Sequence, residues 1–344
     1  MKKGLFALAI SIGLIGCAEQ DNNSTTTQVK QPFPNEVVVY SARAEHLIKP
    51  LFDEFTKQTG IGVKFQTGNA NALVERLKAE GDQSPADILM TVDAGNLWYA
   101  ASQGLFQPLN SARIASQIPA HLRDPNNLWT GLSVRARTIV YSSERVDPQQ
   151  LSSYEDLGSA KWQGRLCLRT SGSVYNKSLV AAMIAHNGEQ QTEQTLKNWV
   201  GNLASKPQAK DSQVLDAILA GQCDVGIVNT YYFGRMQADK PDMALKLFWA
   251  NQASTGTHIN VSGAGILNSA KNYDGAVKLL EWLVSDDAQG IYGALNKEYP
   301  ANPKIGVDAQ VDSWGRFKQD DLNLSRVGEL QQQATMLINR AGYE

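Results

Sequence analysis

The sequence predicts an α/β protein of two lobes, each a mainly parallel sheet flanked by helices, joined by two extended crossovers. Three observations carry this expectation. From Glu36 onward, short β-branched runs alternate with longer amphipathic runs, an order that covers both faces of a sheet with helices. Two stretches, 132–141 and 258–267, interrupt the alternation with long extended runs. The length of 344 residues is enough for two domains of ordinary size.

Taken in order, residues 36–40 read as the first strand. Residues 45–59 read as a helix, with Leu47, Leu51, Phe52 and Phe55 at helical spacing and Gly60 beyond the end. A strand at 63–66, a helix at 71–81 with Leu73, Val74 and Leu77 inward, a strand at 86–91 after Ser84-Pro85, and a helix at 95–104 follow. This βαβαβ order predicts a parallel sheet. Past the first extended run, the pattern gives a strand at 166–168, helices at 176–186, 193–204 and 214–220, and a buried strand at 225–228. After the second run come helices at 271–283 and 286–295 and one long closing helix at 325–341.

Composition narrows the function. With 42% hydrophobic and 19% charged residues the chain is ordinary globular protein. The formal charge of −2, and the absence of a basic run interleaved with aromatics, argue against nucleic acid as a partner. There is no GxSxG elbow, HExxH, Walker loop or dinucleotide fingerprint. Ser171-Gly-Ser173 is a small polar loop without a paired base, so the expectation is not an enzyme.

The amino terminus reads as an export signal. Lys2-Lys3 precedes an apolar stretch at 5–15, too short to span a bilayer. Leu14-Ile15-Gly16-Cys17 resembles the bacterial lipobox, which implies a signal peptide at 1–16 and a lipidated Cys17. Residues 17–35 are polar and aperiodic and read as a disordered tether. The expected location is the periplasm or the outside face of the cytoplasmic membrane, with the membrane touched only through the lipid. Cys167 and Cys223 then remain as an even pair, which suits one disulfide in an oxidising compartment; two buried free thiols are the other reading.

The stretch that draws attention is 225–236. A buried strand ends in Asn229-Thr230, a strand-to-helix turn with an N-cap, and Tyr231 and Tyr232 follow at its mouth. Open α/β sheets bind ligands at the carboxyl ends of their strands. By themselves, two such tyrosines are equally read as amphipathic surface residues.

From residue 37 onward the chain resembles the ferric-iron-binding periplasmic proteins of bacterial ABC importers, in the branch with the cyanobacterial iron-uptake binding proteins. The resemblance rests on Val39-Tyr-Ser-Ala-Arg43, Gly81-Asp-Gln-Ser-Pro-Ala-Asp87, Arg135-Ala-Arg137, Tyr175-Asn-Lys-Ser178, Asn229-Thr-Tyr-Tyr-Phe-Gly-Arg235 and Asn260-Val-Ser-Gly263, in that order. It implies a type II periplasmic-binding-protein fold, with the ion in the interlobe cleft. The lobes are expected at 36–134 with 263–310, and at 135–262 with 311–344. It also implies a monomer that hands its cargo to a permease driven by a separate ATPase subunit. The family's adjacent tyrosine ligands fall on Tyr231 and Tyr232, and its third on Tyr175. Where relatives place a histidine and often a tyrosine after the first strand, this chain has Ala44 and Glu45, with His46 out of register.

The chemistry fits that set. Fe3+ is hard and prefers oxygen donors, and a bound cation can displace a phenol's proton. Three phenolates would balance its three charges. Glu45 or a small anion such as carbonate would fill the remaining positions, with Arg43 holding the anion in bidentate fashion and Arg135 and Arg235 nearby. Fe2+ is the other candidate ion. Tyr40, Tyr141, Trp98, Trp129 and Trp162 read as packing, His186 and His258 as structural, and Asp87 and Asp93 as flanks of the third strand. The competing reading is a two-lobed binding protein for an oxyanion or small organic ligand (phosphonate, sulfate, thiamine or polyamine), gripped by Arg43, Ser171, Ser173 and Asn229.

Overall fold

The computed structural model describes residues 35–344. The predicted leader, Cys17 and the tether up to residue 34 lie outside the described residues. The strands are β1 (Glu36–Ser41), β2 (Gly62–Thr67), β3 (Ile88–Thr91), β4 (Phe106–Gln107), β5 (Thr130–Ser142), β6 (Leu166–Cys167), β7 (Val225–Asn229), β8 (Leu245–Phe248), β9 (Ile259–Leu267) and β10 (Tyr299–Pro300). The helices are α1 (Glu45–Thr59), α2 (Ala70–Glu80), α3 (Ala94–Ser102), α4 (Ala112–Gln117), α5 (Val174–Asn202), α6 (Asp211–Leu219), α7 (Thr230–Asp239), α8 (Tyr273–Leu283), α9 (Asp286–Asn296), α10 (Ala309–Asp312), α11 (Leu324–Glu329) and α12 (Gln331–Arg340).

The strand order is β2-β1-β3-β9-β5-β7-β6, with β4 on β9 and both β8 and β10 on β5. The first βαβαβ unit pairs in parallel, β1 lying between β2 and β3, and β6 is parallel to β7. The two long strands β5 and β9 pair antiparallel with each other, β9 with β3, and β5 with β7 and β8. Mixed sheets of this kind are common in α/β proteins. The first part of β5 pairs with β9 and the part from Arg137 to Tyr141 pairs with β7. Every residue of β5 and β9 is buried. The two extended runs seen in the sequence are thus the strands by which the sheet passes from one lobe to the other.

Local sequence explains most boundaries. In α1 the inward face is Ile48, Leu51, Phe52 and Phe55, so Ile48, not Leu47, starts the apolar stripe. Gly60 ends the helix in the left-handed region, φ 73°, where its N–H donates to Thr56 O. The helices predicted at 176–186 and 193–204 are both present, lying end to end within α5 and parted by a kink at Gly188, whose non-helical φ of 77° and ψ of 168° favour glycine. Cys167, in β6, is joined to Cys223, just before β7, with 5.9 Å between their Cα atoms.

The closing helix predicted at 325–341 is two helices, parted at Leu330. The two pieces pack differently: α11 lies against both α3 and α5, and α12 against α5. Gly328 lies against Trp98 with no room for a Cβ, so α11 settles close on α3. Ser325 Oγ also donates to Asp124 Oδ2 at 3.2 Å. The closing segment, expected in the second lobe, thus packs on α3 as well as α5.

Candidate metal centre

Three tyrosines meet at the starts of two helices. All five residues of β7 are buried, and α7 begins at Thr230 directly after it, so Tyr231 and Tyr232 occupy its first turn. Their ring centroids are 4.4 Å apart. Tyr175 occupies the first turn of α5. Tyr231 is only 7% exposed. Burial, and then the neighbouring Tyr175 and Tyr232 phenols, push its pKa well above the ordinary 10. Burial raises Tyr175 as well, while Arg135 and a contact with the Tyr231 hydroxyl pull it the other way. These mutual influences mark the three phenols as one cluster.

Cations surround the cluster. The Arg135 and Arg169 guanidiniums lie 5.9 and 5.5 Å from the Tyr175 ring centre, and that of Arg235 lies 5.2 Å from the Tyr231 ring centre. Such placements favour a phenolate over a phenol. Tyr175 also lines a cleft of about 930 Å³, with Arg169, Lys177 and Ser173 beside it and Asn69 and Asn96 contributed from the first lobe. Among the described residues no three His, Cys, Asp or Glu side chains converge as a metal would need. Tyrosine oxygens are donors that suit a hard, highly charged ion.

The remaining sequence candidates are placed as follows. Arg43 is buried, and both Nη1 and Nη2 donate to Glu298 Oε2 at 3.1 Å, with Nη1 also reaching Ser262 and Ser133. Burial works against the charge of Glu298, but Arg43 and Arg135 outweigh it and hold the carboxyl below its usual range. Both Nη groups of Arg43 therefore converge on one carboxylate oxygen of the chain itself. Glu45 and His46 are exposed at the start of α1, and the structure records no contact of either with the tyrosines. Arg135 donates to Ser262 Oγ at 3.0 Å and to Val92 O. Asp93 begins α3, where its Oδ1 accepts from Gly95 N, and its Oδ2 accepts from Ser178 Oγ at 2.8 Å and Asn260 Nδ2 at 2.7 Å. Asp87 holds the backbone of Val38, Lys271 and Asn272. Tyr40 is buried with its hydroxyl donating to Glu80. Tyr141, Trp129 and Trp162 are core residues. His186 Nε2 lies 2.9 Å from Asp320, and His258 is buried.

Two residues escaped the sequence reading of the site. Glu298 carried no local signal, since its partner Arg43 is 255 residues away. Arg137 did carry one: it and Arg135 are two apart in an extended run, which puts two long cations on one face of a buried strand.

Comparison with known proteins agrees with this architecture. Residues 83–323 match the family of bacterial extracellular solute-binding proteins. Iron uptake protein A1 of Synechocystis sp. is 40% identical over 316 residues, covering 90% of this chain and 88% of its own. The Fe(3+)-binding periplasmic protein of Serratia marcescens is 30% identical over 311 residues, covering 88% and 90%. Trichodesmium FutA (IdiA), solved in complex with iron and citrate ligands, superposes with a TM-score of 0.86 at 40% identity, over 90% of this chain and 100% of that one. Two lobes with a cleft between them define the class of solute-binding proteins. The chain belongs to the bacterial extracellular solute-binding family and, within it, to the ferric-iron-binding periplasmic proteins.

Proposed function

We infer that this protein captures ferric iron in its interlobe cleft through the phenolates of Tyr175, Tyr231 and Tyr232. The observation that carries the reading is the convergence of three phenols, Tyr231 buried and Tyr175 and Tyr232 half-buried, under flanking arginines. The ion's remaining positions fall to Glu45, or to a small oxygen-donor anion that arrives with it. Carbonate is one such anion, and the relative solved with iron and citrate supports the general idea. Fe2+ is the weaker candidate, since a softer, less charged ion gains less from phenolate. The cargo then passes to an ABC permease with a separate ATPase. The protein acts as a periplasmic monomer tethered through lipidated Cys17, its lobes at 36–134 with 263–310 and at 135–262 with 311–344, the closing segment reaching across both. Hinge closure over the ion shifts the population toward the closed form. The cleft, far larger than an ion, supports a second reading in which an oxyanion or organic ligand is the cargo.

A visible-absorption titration of the metal-free protein with ferric nitrilotriacetate, with and without bicarbonate, tests this. A broad band saturating at one equivalent is expected, and its dependence on bicarbonate reports whether that anion completes the shell. The Tyr231→Phe/Tyr232→Phe double variant should lose the band. Its ferric affinity should fall by more than the roughly 100-fold typical of losing one supporting hydrogen-bond partner, with the fold intact. A parent-like band in that variant defeats the assignment.

A further inference from the structure

We propose that Arg137 is the positioning residue of the tyrosine centre: its guanidinium locks the start of α5 to the start of α7 and so sets Tyr175 against Tyr231 and Tyr232. The inference rests on the tyrosine reading of the site and adds the device that aligns it.

The geometry is a single buried hub. Arg137 is 2% exposed, on the strand that joins the lobes. Its Nε and Nη2 donate to Asn176 Oδ1 at 3.0 and 2.6 Å. Its Nη1 donates to Asp211 Oδ2 at 2.9 Å and to Asn229 Oδ1 at 3.2 Å, and Nη2 also reaches Ile227 O at 3.3 Å. Asn176 directly follows Tyr175. Asn229 stands two residues before Tyr231, and its Nδ2 donates to the Tyr231 hydroxyl at 3.3 Å. Asp211 Oδ2 closes the ring by accepting from Asn229 N at 3.0 Å. One planar fork thus grips a residue beside each ligand segment, a task that the point charge of lysine does not perform.

The arrangement overrides local preference. Asn229 occupies the N-cap of α7, where asparagine ordinarily accepts from the helix N–H groups, yet its side chain makes no capping bond. It turns instead between Arg137 and Tyr231. The Asn176 side chain is equally committed, its Nδ2 donating to Arg169 O, Thr170 O and Tyr343 Oη at 2.9 Å. The backbone of Arg137 adds two links: it pairs with Asn229 in β7, and its N–H donates to His258 O, at the entrance of the other crossover, at 3.0 Å. Arg137 therefore joins β5 to both phenol-bearing segments, by its side chain and through the β5–β7 ladder.

The test compares Arg137→Lys, Asn176→Ala and Asn229→Ala with the parent, using the whole protein carrying tyrosine labelled with 13C at Cζ. The metal-free signals are read first, and then the visible band with ferric nitrilotriacetate. Arg137→Lys should shift the Tyr175 and Tyr231 signals while leaving Tyr99 in place, move the band, and weaken ferric affinity by about 10- to 100-fold. Asn229→Ala should shift Tyr231, and Asn176→Ala should shift Tyr175. A folded Arg137→Lys that loses only thermal stability, with signals and band like the parent, overturns the proposal. If Arg137→Lys does not fold, the two asparagine variants decide: tyrosine signals unchanged in both overturn it. A parent without a visible band, together with shifted signals in the variants, defeats the iron reading and leaves the positioning role standing.

Discussion

Tyr231 is buried beside two other phenols, and both facts keep its proton in place until a strong cation arrives. The pH dependence of binding follows. Tyr175 and Tyr231 both have raised values in the metal-free protein, so at neutral pH both are protonated and ferric binding must release both protons. Each proton released strengthens binding about tenfold per unit rise in pH: these two contribute about 100-fold per unit, and one proton from each of the three ligand phenols gives about 1,000-fold. Competition titrations from about pH 6 to about pH 8, corrected for the chelator, should show this slope. A flat profile would mean that these phenols are not ligands. The tyrosines were legible in the sequence because a strand end, a helix start and an adjacent aromatic pair are local signals. The partner of Arg43 was not: Glu298 is brought to it only by the sheet order, through Ser133 on β5 and Ser262 on β9.

At the scale of elements, periodicity located the helices, but the backbone at single residues decided where they bend. Gly188, at φ 77° and ψ 168°, breaks α5 into the two helices expected there. A Cβ there meets no neighbour within 4 Å, so the cost of Gly188→Ala is backbone strain alone, about 1–3 kcal/mol. Urea unfolding of the variant should show that loss, with the visible iron band unchanged because the bend lies more than three turns along α5 from Tyr175. An unaltered stability would mean that the bend relaxes without strain. The split of the closing helix at Leu330 has a different origin. Its sequence pattern continues across the break, and α11 packs on α3 as well as α5 while α12 follows α5.

Over the whole molecule, the crossovers join the lobes and carry the groups that make joining conditional. His258, at the entrance of β9, is buried and held neutral; burial first, then Arg137, push its pKa down to about 3. The unfolded chain takes up that proton near pH 6.5. As the pH falls from about 6.5 toward 3, the unfolded state binds a proton that the folded state refuses, and stability declines. Thermal unfolding of the metal-free protein should show this decline, and His258→Gln should flatten its histidine part. A parent and variant that fall in parallel would assign acid lability to other groups. By itself, the sequence determined the alternating α/β order, the two long crossover strands and the tyrosine pair at a strand end, because strand period, helix stripe and turn chemistry act over a few residues. Tertiary structure alone decided that Glu298 takes Arg43, that Asn229 leaves its cap for Arg137 and Tyr231, and that the closing segment parts at Leu330. Those outcomes depend on buried charges and amides finding partners across the sheet, where an unpaired polar group costs more than a lost local preference.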